Sequence, residues 1–233
     1  MTILGIETAT AVCGVALLRD GTVLDEESIE ERYAHAEKLF GFLDDVLERA
    51  GVKLDSLQGI AVSIGPGSFT GLRIGLSVVK GLHLATGIPV VAVPTLEALA
   101  WRAAPEVRGT GIEKILAVLD ARREEVYWQL FDLTPEGPRA LTDVSDGEIR
   151  LLPELIPPGR VAITGDARIS AGAVLGVDGG DQARAFLVPE PVAQCSAVAV
   201  AQLGAALLAA GAKEDVALLE PRYIKEFFLR KPE

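Results

Sequence analysis

The first thirty positions carry the short apolar runs of β-strands. Ile3-Leu4-Gly5-Ile6-Glu7 predicts one strand and Val12 to Leu18 a second. Asp20-Gly21 supplies the positive φ of a tight hairpin before Thr22-Val23-Leu24, so the chain is expected to open with two or three antiparallel strands. The period changes at His35. Through Ala50, apolar Leu39, Phe42, Leu43, Val46 and Leu47 recur at three- and four-residue intervals opposite Glu37, Asp44, Asp45 and Glu48, a helix that Gly51 ends. Gly59 to Ile64 and Ile88 to Val93 are continuous apolar runs of buried-strand type. The residues between them begin with glycines and continue as a helix that stops near Gly87-Ile88-Pro89, which makes a βαβ unit with a parallel strand pair.

A shorter helix is predicted from Thr95 through Trp101, and Pro105 with two glycines inside 102–110 marks a boundary between lobes. Ile112 to Leu119 and Glu125 to Leu133 form a second strand pair around Asp120-Ala121-Arg122-Arg123-Glu124, and Arg160 to Thr164 is a further strand leading into Gly165-Asp166. Residues 135–159 and 176–191 are rich in Pro, Gly and Asp and hold no period that predicts an element. Pro191 to Ala212 has no formal charge and the length of a membrane span, but Gln194, Ser196, Gln202 and Gly204 interrupt it. Val200, Leu203 and Leu207 at helical spacing predict a buried soluble helix ending at Gly211. Met1-Thr2 lacks a basic n-region, so the expected compartment is the cytoplasm, with no membrane partner.

Composition narrows the function. Hydrophobic residues are 49% and charged residues 24%, the balance of a chain with a buried core and not of a disordered one. The net charge of −11 repels a phosphate backbone, which argues against direct nucleic-acid binding. Cys13 and Cys195 are far apart, without C-x-x-C or a histidine at ligand spacing, and are expected to be buried, reduced thiols.

The stretch Gly65-Pro66-Gly67-Ser68-Phe69-Thr70-Gly71-Leu72-Arg73-Ile74-Gly75 puts glycines ahead of a helix N-terminus, where free N–H groups and the helix dipole favour a phosphate. Its spacing fits neither G-x-x-x-x-G-K-[ST] nor G-x-G-x-x-G. Nucleotide binding or recognition is therefore the lesser reading for Glu7, Gly65, Gly67, Asp120, Arg122 and Gly165, and the charged turn at 120–125 is first of all a solvated turn. The larger reading is an interface. On the helix after the glycines only Arg73, Ser77 and Lys80 make a polar stripe, leaving an apolar arc about twice the ~100° that one buried face needs. Gly71 and Gly75 share a face with Val79 and Leu82 and admit a close backbone. The expected contact set is His35, Leu39, Phe42, Leu43 and Val46 of the first helix with Gly71, Leu72, Gly75, Leu76, Val79, Leu82 and His83 of the second. Neither histidine has a second His or Cys within four residues, so no metal site is expected.

These residues resemble a known family. Ile3-Leu4-Gly5-Ile6-Glu7-Thr8, His35-Ala36-Glu37-Lys38-Leu39, the run from Gly65 to Gly75, Pro94-Thr95-Leu96-Glu97-Ala98-Leu99-Ala100, Asp120-Ala121-Arg122-Arg123 with Val126-Tyr127, and Glu220-Pro221-Arg222-Tyr223 are together similar to the TsaB family of bacterial tRNA threonylcarbamoyladenosine biosynthesis proteins. The resemblance implies an α/β fold of actin-like and Hsp70-like (ASKHA) type, two lobes with mixed sheets and flanking helices. The first lobe would span 1–101 and the second 102–194, with about 195–233 packing back toward the first.

It also implies a non-catalytic scaffold in forming threonylcarbamoyladenosine at position 37 of tRNA. The partners would be a TsaD-like catalytic subunit, paired through the first-lobe helices, and a TsaE-like ATPase. The tRNA would be met only through the complex, and a weak homodimer is the expected state outside it. ATP and metal would sit on the partners, with no cofactor on this chain alone. TsaD-like chains carry a His-x-x-x-His metal pair where this chain has Thr95 and Leu99, neither of which replaces an imidazole. Gly165-Asp166-Ala167-Arg168 departs from the family's Gly-Asp-Gly-Ala. The rival readings are a small ATP-dependent kinase or phosphohydrolase of the same superfamily, a metallopeptidase, and a homodimeric binding protein with no TsaD partner.

Overall fold

The computed structural model describes residues 1–31, 35–177 and 184–225. Strands β1 (Thr2–Glu7), β2 (Val12–Arg19) and β3 (Thr22–Glu30) form an antiparallel meander, with Asp20 and Gly21 at positive φ in the hairpin turn. β3 runs six residues past the expected Leu24. Its pairing with β2 continues to Glu30 opposite Val12, and as an edge strand it turns charged side chains to water that carry no apolar signal.

Helix α1 (His35–Arg49) lays Leu39, Leu43 and Val46 on this sheet. β4 (Gly59–Ser63), α2 (Phe69–Thr86) and β5 (Val90–Val93) make the expected βαβ unit. β4 lies parallel to both β1 and β5, so the sheet order is β3-β2-β1-β4-β5. α2 starts at Ser68, whose Oγ accepts the Gly71 N–H at 3.2 Å, and ends at Gly87 with φ 72°.

Helix α3 (Thr95–Val107) continues past Trp101 through Pro105 and across the expected lobe boundary. Ala103, Ala104 and Val107 are buried, and their packing holds the last turn against the bond that the proline removes. β6 (Lys114–Asp120) and β7 (Glu125–Thr134) pair antiparallel. β8 (Gly137–Ala140), β9 (Ser145–Glu148), α4 (Leu152–Leu155), β10 (Val161–Thr164), α5 (Arg168–Leu175) and β11 (Ala185–Leu187) follow. The second sheet has the order β11-β10-β6-β7-β8, with β9 also on β7.

In each sheet the first strand begins an antiparallel three-strand meander on one side and has two strands parallel to it on the other. The two halves thus repeat one topology. Helix α6 (Ala197–Ala209) closes on the first sheet, where small residues allow contact: a Cβ on Gly5 would lie 2.3 Å from the Ala197 carbonyl oxygen. Among the described residues no helix is long and apolar enough to cross a membrane. The chain beyond α6 returns past α2 of the first half and reaches the β6–β7 turn of the second sheet at Lys225, and residues 226–233 of the returning segment expected above lie outside the described residues.

Candidate docking face and the seam between the sheets

Repetition of the topology gives the two sheets matching strand ends. Glu7 ends β1 and Asp120 ends β6, and each carboxylate accepts the N–H two residues on: Glu7 Oε1 from Ala9 at 2.5 Å, and Asp120 Oδ1 from Arg122 at 2.8 Å. Beside them lie the ends of the parallel strands β4 and β10, leading into Gly65 and Gly165. The Thr8 N–H donates to Ser63 Oγ at 3.2 Å and the Asp120 N–H to Asp166 Oδ1 at 2.8 Å.

Glu7 is fully buried, and among the described residues its Oε2 has no hydrogen-bond partner. Burial pushes its pKa up to about 7, outweighing the pull of the Ala9 N–H, the Ser63 hydroxyl and the Thr8 N–H. Both cysteines are buried as expected. Burial first and Glu7 second raise the Cys13 thiol to about 11 and hold that of Cys195 well above its ordinary value.

The glycine loop is filled by the chain itself. A Cβ on Gly67 would lie 2.1 Å from the Ala9 carbonyl oxygen, one on Gly65 2.9 Å from that of Arg222, and one on Gly165 1.8 Å from that of Val118. The N–H groups that a phosphate would use are largely taken. Gly65 donates to Thr95 Oγ1, Ser68 to the Ala9 carbonyl, Gly71 to Ser68 Oγ and Leu72 to the Ser68 carbonyl. Near the second glycine, Arg168 pairs with Glu190 at 2.7 Å and donates to the Val188 carbonyl, pinning the chain there. This loop does not fit a nucleotide phosphate.

The metal fares no better. The Thr95 hydroxyl is engaged with the Gly65 N–H and Leu99 is in the core, so neither position fits a metal ligand. Among the described residues no group of three His, Cys, Asp or Glu could hold a metal ion.

The contact set expected from helical spacing needs correction. All its members except Leu82 and His83 are buried within the chain, because the sheet, the neighbouring helix and the returning segment with Val216 and Leu219 cover the arc. The close approach at Gly71 and Gly75 is made by the chain's own Thr8, 2.1 Å from a Cβ at Gly71 and 2.4 Å at Gly75. The histidines hold local structure: His35 Nε2 is 3.0 Å from the Thr10 carbonyl oxygen and His83 Nδ1 2.7 Å from that of Ile88.

What faces outward is a groove of about 500 Å³ between α1 and α2, lined chiefly by Ala36, Phe40, Phe69, Arg73, Ile74 and Ser77. Phe40 is 57% exposed, and Leu84 at the far end of α2 is 88% exposed. The Arg73 guanidinium lies 3.7 Å over the Phe69 ring and its Nε donates to Tyr223 Oη at 3.0 Å. The signal for Phe40 was present in the sequence as an aromatic on the polar side of α1. Tyr223 is distant in sequence and gave no such signal.

The turn between β6 and β7 is more than a solvated loop. Arg122, Arg123 and Glu124 have φ of 66°, 57° and 64°, three successive non-glycine residues in the left-handed region, where each costs roughly 1–3 kcal/mol. The Ala121–Glu125 and Glu125–Arg122 backbone bonds, the Asp120 carboxylate and Lys225 hold it there.

The family model of TsaD, tRNA N6-adenosine threonylcarbamoyltransferase, matches residues 23–217. The TsaB protein of Escherichia coli, named for tRNA threonylcarbamoyladenosine biosynthesis, is 35% identical over 71% of this chain and 69% of its own length. The chain belongs to the TsaB family. The Bacillus subtilis TsaB is also 35% identical, over 56% of this chain and 55% of its own. Among solved structures, YeaZ of Pseudomonas aeruginosa superimposes with a TM-score of 0.76 at 30% identity, covering 95% of this chain and 99% of that one. A second P. aeruginosa structure, described as similar to peptidase YeaZ, gives 0.77 at 28%, covering 96% and 99%. The activator of 2-hydroxyisocaproyl-CoA dehydratase from Clostridium difficile, at 9% identity and a TM-score of 0.52 over 91% and 97%, shares the fold alone. The actin-like and Hsp70-like architecture expected from the TsaB resemblance is the one present.

Proposed function

We propose that this TsaB-family chain is a non-catalytic scaffold in forming N6-threonylcarbamoyladenosine on tRNA, and that it docks through the α1/α2 groove on a TsaD-like subunit that carries the metal and performs the transfer. A TsaE-like ATPase completes the assembly in this reading, and tRNA is met through the complex, consistent with the charge of −11. The observation that carries it is a contrast. The cleft where a nucleotide phosphate would lie is filled by the chain's own backbone at Ala9, Val118 and Arg222, while the groove at Phe40, Phe69 and Ile74 opens apolar surface to solvent. Apolar surface rimmed by polar groups is the signature of a protein contact, and in this reading the same groove would serve a weak homodimer of the free chain.

Co-purification with a TsaD homologue, followed by a tRNA modification assay with and without this chain, tests the proposal. Phe40→Asp should abolish pairing and modification while leaving the melting temperature of the free chain near that of the wild type. Full modification in the absence of the chain would refute the scaffold role. ATP turnover by the isolated chain, lost in Glu7→Ala, would favour the kinase or phosphohydrolase reading instead.

A further inference from the structure

The segment from Lys213 to Lys225 crosses the molecule from one sheet to the other. The Glu214 N–H donates to the Val90 carbonyl of β5, and Val216 and Leu219 enter the core beneath α2. Lys80 of α2 donates to the Ala217 carbonyl at 3.3 Å, and the Arg222 N–H donates to the Ile64 carbonyl at 2.7 Å, over the glycine loop. Tyr223 then packs on Phe69, ring centroids 5.2 Å apart, and accepts from Arg73, two residues of the groove wall. Two residues later Lys225 reaches the second sheet. Its Nζ donates to the Ala121 carbonyl at 3.0 Å and pairs with the Glu125 carboxylate, 5.5 Å from the centroid of the Tyr127 ring.

One end of this strap thus shapes the docking groove, and the other grips a turn held in a sparsely populated backbone conformation. We propose that the strap joins the two into one mechanical unit, so that a protein partner seated against Phe69, Arg73 and Tyr223 and the conformation of the 120–125 turn bias each other. The partner half of this statement rests on the docking reading above. The coupling half belongs to the free chain. A turn with three left-handed residues has a relaxed alternative, and Lys225 favours the strained form because its two acceptors, Ala121 and Glu125, bracket the strained residues. Whatever fixes the strap at Tyr223 fixes Lys225 two residues on. By linkage, a turn that holds Lys225 favours the groove shape in which Tyr223 is docked.

Hydrogen exchange read by mass spectrometry on the full chain tests this. The probes are the bonded amides of Ala121, Arg122 and Glu125. Lys225→Met should speed their exchange about tenfold, the scale of one charge-assisted hydrogen bond. Tyr223→Phe, which removes only the hydroxyl held by Arg73, should speed exchange at the same amides about threefold, a fraction of one such bond. Tyr223→Ala should exceed Tyr223→Phe, while Lys213→Met, at the exposed start of the strap, should have no effect.

With a TsaD homologue present, exchange at these amides should slow in the wild type and not in Lys225→Met. That variant should also bind about fivefold more weakly, although Lys225 does not line the groove. Unchanged exchange at the turn in both Tyr223 variants would overturn the coupling. Failure of the wild type to bind the homologue, with the free-chain effects intact, would overturn the docking reading and leave the coupling standing.

Discussion

Replacing Glu7 by glutamine should abolish a pH dependence of stability that the wild-type chain carries. The carboxyl is fully buried at the end of β1, with one oxygen on the Ala9 N–H; among the described residues the other oxygen has no hydrogen bond and no cation offsets the burial. Its pKa rises from the ordinary 4.5 to about 7. Between those values the folded chain holds a proton that the unfolded chain has released, so stability falls as pH rises through that window and is flat on either side. The full loss corresponds to roughly 3 kcal/mol at one pKa unit per ~1.4 kcal/mol, or roughly 6–12 °C in melting temperature for a chain of this size.

Glutamine has the same shape and never ionises. Whatever constant offset its amide introduces, the difference in melting temperature between Glu7→Gln and wild type should grow in the variant's favour by most of that amount from pH 5 to pH 8, the remainder lying below pH 5. Differential scanning calorimetry across this range measures it, and groups titrating elsewhere cancel in the difference. Parallel curves for the two proteins would refute the argument and would mean that Glu7 is solvated or paired in solution.

Gly71→Ala should lower stability by about 1–3 kcal/mol with no partner present, since the new methyl meets the Thr8 carbonyl at 2.1 Å; an unchanged melting curve would show that this turn yields readily. Asp120→Ala should cost about 1 kcal/mol in chemical denaturation by freeing the Arg122 N–H of the left-handed turn, and should leave the far-ultraviolet circular dichroism unchanged. Native protein should resist thiol reagents at pH 8, and two thiols should appear after unfolding in guanidinium, because Cys13 and Cys195 are buried with raised pKa values; a fast native phase would contradict their burial.

The apolar periods in the sequence were enough to find β1, β2, α1, β4, α2 and β5, because each buries a continuous or regularly spaced face. They were not enough for the outer half of β3 or for β8 and β9, edge strands whose pairing is made by backbone groups and whose side chains need no apolar pattern. Pro105 read as a stop signal, yet α3 passes through it because the buried Ala103, Ala104 and Val107 beside it outweigh one missing bond. The apolar arc of α2 was legible as surplus surface, but its owner was not. The returning segment at Val216 and Leu219 supplies much of the cover, and a sequence pattern does not say which distant residues will arrive.

By itself, then, the sequence determined the types of the elements that carry an apolar period, the helix stop at Gly87, the burial of both thiols and, through the run from Gly65 to Gly75, the TsaB resemblance. Those are local properties, set by period, turn chemistry and side-chain polarity. Tertiary structure alone decided that the glycines receive the chain's own Ala9, Thr8 and Arg222, that Glu7 has no counter-charge among the described residues, and that Tyr223 meets Arg73. Each of these depends on residues brought together across long chain separations, and closing such loops is a matter of which packed surfaces exclude the most water.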